Sequence, residues 1–545
     1  MPVRELTQEL VETHRAAGFW PGRPLYAVVD QHAAMRPHAP ALADQHERMT
    51  YAELVRRSHA LADHLLGLGL RPGDAVALQS PNRNAIGITH LACDRADLVF
   101  VPLSTAWRHR ELSHLLAMSR ARVLVVPQAA RGVDYMSVID DLRPGLPELA
   151  HLGSLDGLAP GADFDFDEVT RRRTGVVVVD RDPEAPRFVM VTSGTTDLPR
   201  LAQWTDDNLW FFMRSFIDSV ALTSEDIAVG LCPANTGATG YVFPVLGPLL
   251  VGASSILLEE WSPRAALDLM QDERATTATA IPTQVMKMLQ EPGLGDRDFT
   301  SLRLFTNSGA AMPPQAAQEV ETVFGCTSHV IYGSTDGGVP SMTRVDDPVG
   351  KRLTSVGRLL RGTDLRLVDP LGEQVAVGEP GEICWRSPTK SFGYLNEPER
   401  TDAAFDADGY YHSGDLGRID GDGYLFVTGR VKDLIIRGGQ NISPQELEIV
   451  LARHPSVSEV SVIGTPDPVY GERVCACVTC RPGRTVDVAD LAAFLLSEGV
   501  AKFKLPERVE VFDELPKSAG GKISKVELRA AVGQRSAAEL SAPGG

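Results

Sequence analysis

Between residues 51 and 127 the chain alternates two apolar patterns, and this alternation is what most narrows the folds open to it. Residues 51–66 carry Leu54, Val55, Leu61, Ala62 and Leu65 at helical spacing. A Pro-Gly turn follows, and the run Asp-Ala-Val-Ala-Leu at 74–78 reads as a buried strand. The same alternation continues through a helix-like segment, LVFVPL at 98–103 and ARVLVVP at 121–127. Helices interleaved with short continuous apolar strands predict an α/β fold with largely parallel sheets.

From about residue 361 the texture changes. TDLRLVD, GEICWRS and GYLFVTGR are alternating strands separated by Asp-Gly and Gly-Glu turns, which predicts a β-rich subdomain. Beyond residue 430 the pattern predicts a small α+β domain: helix 443–454, strands 457–464 and 473–479, helix 486–498 and strand 508–512. The expected domains are therefore 1–431 and 432–535, with 536–545 (RSAAELSAPGG from Arg535) a flexible tail.

Composition removes several function classes. A net charge of -18 over 545 residues argues against bulk binding of nucleic acid or anionic membrane, which needs a basic face. It does not exclude a nucleotide held locally. The uncharged stretch 227–258 contains Pro233, Pro244 and Pro248, so a buried core is expected there rather than a membrane span. The N-terminal MPVRELTQELVETHR has no apolar signal core, and a cytoplasmic location is expected. Seven widely spaced cysteines describe no disulfide framework, and the cluster RVCACVTC at 473–480 alternates like a strand with structural thiols.

VTSGTTDLPR at 191–200 follows the apolar Phe188-Val189-Met190. It lacks the Gly-Lys-Ser/Thr of a Walker loop, yet its hydroxyls and Gly194 suit an anion. Taken singly it is an ordinary polar turn as readily as a ligand loop.

Five further stretches decide between these. NSGAAMPP (307–314), IYGSTDGG (331–338), YYHSGDLGRID (410–420), GRVKDLIIRGGQNISPQELE (429–448) and LPKSAGGKIS (515–524) occur in this order. Together they resemble the adenylate-forming superfamily, which includes acyl-CoA synthetases, aryl-acid and peptide-synthetase adenylation domains, and luciferases. The resemblance runs from about residue 25 to about residue 530 and is closest to the acyl-CoA ligase branch. It implies a large multi-subdomain N-terminal domain and a small C-terminal domain that swings between two poses. It also implies ATP or acyl-AMP, coenzyme A and a weakly held magnesium as ligands. The implied chemistry is acyl-AMP formation followed by transfer to a thiol.

The resemblance carries roles to individual residues. Thr192, Ser193, Gly194, Thr195 and Thr196 would meet the phosphates. Ser308, Gly309, Ala310, Tyr332, Gly333 and Thr335 would surround the nucleotide, with Tyr332 on adenine. Asp415 would accept the ribose hydroxyls beside Arg430; a carboxylate suits two hydroxyl donors. Lys522 would bridge carboxylate and α-phosphate, and Lys432 marks the hinge. Thr195 and Asp336 are the implied magnesium contacts. Gly438 and Gly439 would line the pantetheine entry.

Several positions depart from the family pattern. Asp197 and Leu201 stand where glycine is usual, Arg200 where lysine is usual, Asp336 where glutamate is usual, and Asp206 where histidine is frequent. A carboxylate about 4 Å from one phosphate charge costs about 1 kcal/mol in water-like screening and about 4 kcal/mol at an effective dielectric near 20. Asp197 and Arg200 are near enough in sequence to pair. Asp336 is one methylene short for a magnesium contact. Two readings stay open: tolerated variation, or a weakened adenylation half whose acyl-AMP comes from a partner enzyme.

The acyl pocket is expected from CPANTGATGY (232–241), IPTQ (281–284) and NSGAAM, with Asn235, Thr236, Gly237, Gly240 and Gly309 facing the acid. No carboxylate lies between residues 227 and 258 to hold an α-ammonium, so an α-amino acid is not expected. Small residues predict a bulky, mainly apolar acid (aryl, alicyclic or terpenoid-like), with a fatty or short-chain acid as the alternative. LPRLAQWTDDNL (198–209) also resembles stand-alone aryl-acid activating enzymes of specialised metabolism. A carrier-protein thiol in place of coenzyme A and a homodimer both stay open.

Overall fold

The helix Tyr51–Gly67 shows how locally these elements are encoded. Thr50 accepts the backbone N–H of Glu53, and the Glu53 carboxylate accepts the backbone N–H of Thr50 at 2.8 Å. This reciprocal cap satisfies two helix-end donors, while Leu54, Leu61, Ala62 and Leu65 are buried on the inner face. The computed structural model describes residues 8–130, 132–177, 179, 181–182, 184–192, 198–235, 237–517 and 523–541. Ser193, Gly194, Thr195, Thr196, Asp197, Thr236 and Lys522 lie outside the described residues.

The chain divides into two compact units. The first comprises Met1–Gly194, Leu198–Asp364 and Trp385–Tyr411; the second comprises Thr195–Asp197, Leu365–Cys384 and His412–Gly545. The first unit holds two large sheets. In the seven-stranded sheet the apolar runs of the first third become Ala75–Gln79, Val99–Leu103 and Val123–Val126, mutually parallel. Phe188–Thr192 joins it in parallel, and Arg200–Trp204 closes that edge antiparallel. The nine-stranded sheet has a parallel centre, in which Ile227–Gly230, Thr277–Ala280, Leu304–Ser308 and Thr327–Ser334 are successive neighbours. Gly338–Met342 turns back antiparallel on the last of these. The parallel α/β expectation is met.

The uncharged stretch 227–258 is core. It forms the strand Ile227–Gly230, a π-helical stretch Ala238–Leu246, the short helix Gly247–Val251 and the strand Ser254–Leu257. Among the described residues no helix is long and apolar enough to cross a membrane.

In the second unit, Gly381–Arg386, Tyr411–Ile419 and Leu425–Arg430 are consecutive in a four-stranded sheet whose residues belong mostly to the second unit. The C-terminal sheet pairs Val457–Asp467 with Gly471–Cys480 over ten registered positions. Cys475 and Cys477 are buried on the latter strand against Ile463, Leu515, Leu528 and Val532, the packing role their alternation predicts. The segment 536–541, expected to be a flexible tail, continues the helix Lys525–Ser541. Its Ala, Leu and Glu residues are good helix formers, and the preceding turns supply the nucleus that an isolated tail lacks.

Candidate active site

The site residues of the first unit cluster at the carboxyl ends of parallel strands, where open α/β sheets hold ligands. Thr192 ends the strand Phe188–Thr192. Ser308 ends Leu304–Ser308 and is registered against Ile331, one residue before Tyr332. Gly309, at φ 89°, turns the chain away immediately afterwards. The two sheets meet here: Trp204 donates its indole N–H to the Thr335 carbonyl at 3.2 Å. A Cβ on Gly237 would lie 3.6 Å from Thr335 Oγ1 and 3.8 Å from Met190 Sδ.

The turn Thr335-Asp336-Gly337 is locked by its surroundings. Ser334 is registered against Gly338, and the Gly337 N–H donates to Ser334 Oγ at 2.8 Å. A Cβ on Gly337 would stand 2.3 Å from the Tyr411 ring, so only glycine fits. Tyr332 is half-buried and meets Trp385 edge-on at 5.9 Å, and Gly333 packs against the Gly338 carbonyl and Val339.

Asp336 is held by two phenols. Tyr394 donates to its Oδ2, and Tyr411 donates to its Oδ1 at 3.0 Å. Its backbone carbonyl accepts the Ser391 hydroxyl. Burial, and then the Asp336 carboxylate, holds both phenols above the ordinary tyrosine range, so they remain donors at neutral pH. The Arg200 guanidinium lies over the Tyr394 ring at 5.3 Å. The expected pairing of Arg200 with Asp197 lies outside the described residues. Tyr394 and Tyr411 were missed by sequence reasoning. Tyr411 stands inside YYHSGD, a motif read only for its aspartate.

Asp206 sits apart from these groups. It is buried in the first turn of the helix Asp206–Val220, and Arg181 donates to it at 2.6 Å. Arg181 also binds Asp94, and Arg187 binds Asp97 at 2.5 Å. Three buried carboxylates thus share two guanidinium groups, and burial pushes Asp206 up to about 6.

Of the expected acyl-pocket residues, Asn235 is buried and donates its amide to the Leu103 carbonyl at 2.9 Å. Gly240 belongs to the π-helical stretch. Next to it, Tyr241 OH and His90 Nδ1 share a 2.9 Å hydrogen bond. The His90 ring stacks on Phe188 at 4.8 Å and on Phe100 at 5.3 Å. Burial drives the imidazole down to about 3, so it is neutral. Cys232 donates its thiol to Gln284 Oε1 at 3.0 Å, joining two stretches that sequence assigns to the acid.

In the second unit Asp415 and Arg430 are cross-strand partners, with Arg430 Nε donating to Asp415 Oδ1 at 2.8 Å. Lys432 is exposed in the single turn Val431–Asp433. Gly438 and Gly439 form the two-residue turn between Ile435–Arg437 and Gln440–Ile442, at φ 56° and 79°. A Cβ on Gly439 would meet nothing within 4 Å. Lys517 and Ile523, the described residues on either side of the stretch that carries Lys522, form an antiparallel bridge.

These features define the class: an α/β protein whose candidate site residues gather at the carboxyl ends of parallel strands, with an α+β second unit. Residues 29–395 match the family described as AMP-binding enzyme, and residues 446–522 match the AMP-binding enzyme C-terminal domain. The chain belongs to this family, in the acyl-CoA ligase branch of the adenylate-forming superfamily, and is an acid–thiol ligase. It is similar to a 2-hydroxy-7-methoxy-5-methyl-1-naphthoate–CoA ligase of Streptomyces carzinostaticus, 34% identical over 97% of this chain and 96% of that one. A medium-chain fatty-acid–CoA ligase of Escherichia coli (strain K12) is 32% identical over 95% of this chain and 92% of that one. Among solved structures, the anthranilate CoA ligase AuaEII in complex with anthranoyl-AMP matches with a TM-score of 0.86 and 25% identity, covering 93% of this chain and 97% of that one.

Proposed function

We propose that the protein makes the coenzyme A thioester of a bulky aromatic carboxylic acid through an acyl-AMP, and that its thioester half outruns its adenylation half. In the first half the acid's carboxylate oxygen attacks the α-phosphorus of ATP and pyrophosphate leaves. In the second the thiol sulfur attacks the acyl carbon, loses its proton, and AMP leaves.

Lys522 neutralises the charge gathered between carboxylate and α-phosphate in the first step. Tyr332 offers a half-buried aromatic face for adenine, and Asp415 takes the ribose hydroxyls with Arg430 alongside. Gly438 and Gly439 leave a side-chain-free turn at the thiol approach. An acid of aromatic class is favoured by the absence of any carboxylate between residues 227 and 258, and by the naphthoate and anthranilate relatives.

The observation that carries the imbalance is the double phenol clamp on Asp336. A carboxylate oxygen has two lone-pair positions, so Asp336 fits a hydrated magnesium, but each oxygen must share it with a phenol. When bound, magnesium supplies charge neutralisation to the phosphates. Asp197 in the phosphate loop acts in the same direction by opposing a triphosphate more than a monoester.

The test is a pair of reactions with one aromatic acid: acid plus ATP and coenzyme A, and synthetic acyl-AMP plus coenzyme A. The acyl-AMP reaction is expected to be at least about tenfold faster, about 1.4 kcal/mol in barrier. Robust ATP–pyrophosphate exchange with that acid would overturn the imbalance. Inertness of both mixtures, with turnover when a carrier-protein thiol replaces coenzyme A, would reassign the acceptor.

A further inference from the structure

Within the second unit, away from the glycine turn, three potential metal ligands converge. Glu382 and Cys384 are two positions apart on Gly381–Arg386 and so project to one face of the sheet. His412 lies on the neighbouring strand Tyr411–Ile419. One ligand atom from each, a carboxylate oxygen, the thiol sulfur and an imidazole nitrogen, lies within 4.8 Å of the other two. Among the described residues no other group of three such side chains comes this close.

We propose that Glu382, Cys384 and His412 form a binding site for one zinc ion. Two of the three separations already fit. Cys384 Sγ lies 3.4 Å from His412 Nδ1, and His412 Nδ1 lies 3.5 Å from Glu382 Oε2. A tetrahedral zinc at its usual bond lengths sets sulfur and nitrogen about 3.6 Å apart and nitrogen and oxygen about 3.4 Å apart. The third separation, between Cys384 Sγ and the Glu382 carboxylate, is within 4.8 Å, so a tetrahedral sulfur–oxygen spacing of about 3.6 Å asks the carboxylate to close by at most about 1.2 Å.

The donor set is also mixed in the way zinc favours: one thiolate, one imidazole and one carboxylate, with the fourth position left to water. The carboxylate is oriented in advance. Glu382 Oε1 accepts the Gly414 N–H at 3.0 Å, which leaves Oε2 as the single oxygen facing His412. The strands are pinned beside it by Ser413 Oγ donating to the Ile383 carbonyl at 2.6 Å. Such outer contacts fix ligand orientation.

Access is one-sided. Cys384 is buried, whereas the His412 and Glu382 side chains are 39% and 25% exposed, so an ion enters from the histidine side. On binding, the Cys384 thiol releases its proton to solvent. In the bound state His412 offers its Nδ1 lone pair to the ion and keeps a proton on Nε2. Cys475 and Cys477 are enclosed by apolar side chains in a different cluster and add no ligand.

The test uses the full-length chain after chelator dialysis, titrated with cobalt(II) as a spectroscopic stand-in and then with zinc. One cobalt per chain is expected, with a thiolate-to-metal charge-transfer band and tetrahedral visible bands, all displaced by zinc. Cys384→Ser is expected to lose the charge-transfer band and to bind zinc at least about tenfold more weakly, and His412→Ala to weaken binding by a similar factor. A charge-transfer band that persists in Cys384→Ser, unchanged zinc affinity in that variant, or no stoichiometric binding by the wild type would each overturn the site. Circular dichroism checks that the variants fold. Should Cys384→Ser not fold, Glu382→Gln carries the same affinity criterion.

Discussion

The two glycine-bearing turns assigned above to the two halves of the proposed reaction use glycine for opposite reasons. At Asp336-Gly337 the neighbourhood is full: the Tyr411 ring occupies the place a Cβ would take, and the same tyrosine holds the Asp336 carboxylate. At Gly438-Gly439 the space beside Gly439 is empty, and glycine is required by the backbone, which is left-handed at both residues. One turn is a packed clamp on a charged group; the other is open beside Gly439, with only the Tyr470 ring near Gly438. A clamp restrains whatever chemistry needs its carboxylate, whereas an opening restrains nothing that fits through it. The proposed bias towards the thiol half follows from that contrast.

The strongest way to break the contrast is Lys522→Ala. Adenylation is expected to fall about 10²- to 10³-fold, as for loss of one transition-state donor, while thioester formation from supplied acyl-AMP stays near wild type. Equal losses in both assays would mean that the halves do not separate. Next is Gly439→Leu, which adds bulk to the opening and strains a left-handed residue. Thioester formation should drop about tenfold or more while pyrophosphate exchange changes less than about twofold, read as separate steady-state rates.

The double substitution Asp197→Gly with Asp336→Glu should raise the ATP-dependent rate about tenfold and leave the acyl-AMP rate unchanged, the equivalent of removing about one weakly screened charge repulsion. No gain in the ATP assay would remove Asp197 and Asp336 as the cause. Tyr411→Phe isolates the clamp itself. Freeing Asp336 Oδ1 should increase the ATP-dependent rate about two- to threefold and lower stability by about 1 kcal/mol in denaturant unfolding. A lower rate would make the phenol a support for adenylation rather than a restraint.

The smallest effect is expected away from both turns, at Asp206. Burial raises its folded-state carboxyl to about 6 from an ordinary 3.8. A raised acid contributes stability that is complete below the ordinary value and is lost as pH climbs through the folded value. Wild type should therefore lose about 1–2 °C in melting temperature relative to Asp206→Asn between pH 4 and pH 6.5, a shift set by the size of the chain. A constant difference across that range would show that Arg181 keeps the group ionised throughout.

Much of this was legible in the sequence because it is local. Apolar runs such as 98–103 and 121–127 became parallel strands with only end adjustments, since a doubly covered strand needs nothing beyond continuous apolarity. What sequence did not reveal depends on partners distant along the chain. Tyr394 is 58 residues from Asp336 and Tyr411 is 75. No periodicity announces a hydrogen bond between them. The Glu382–Cys384–His412 group is hidden for the same reason: its spacing spans an intervening excursion of the chain rather than a compact CxxC signal.

The buried His90 bears on how the enzyme's kinetics should be read. Its ring lies between Phe188, which opens the strand leading to Thr192, and Tyr241, inside the π-helical stretch proposed to line the acyl pocket. Because it titrates near 3, it is silent throughout the assay range. A pH–rate profile will show no inflection from this histidine even though it touches both stretches. Substitution by glutamine, which keeps a polar group but loses the flat ring, is the probe that reports on it.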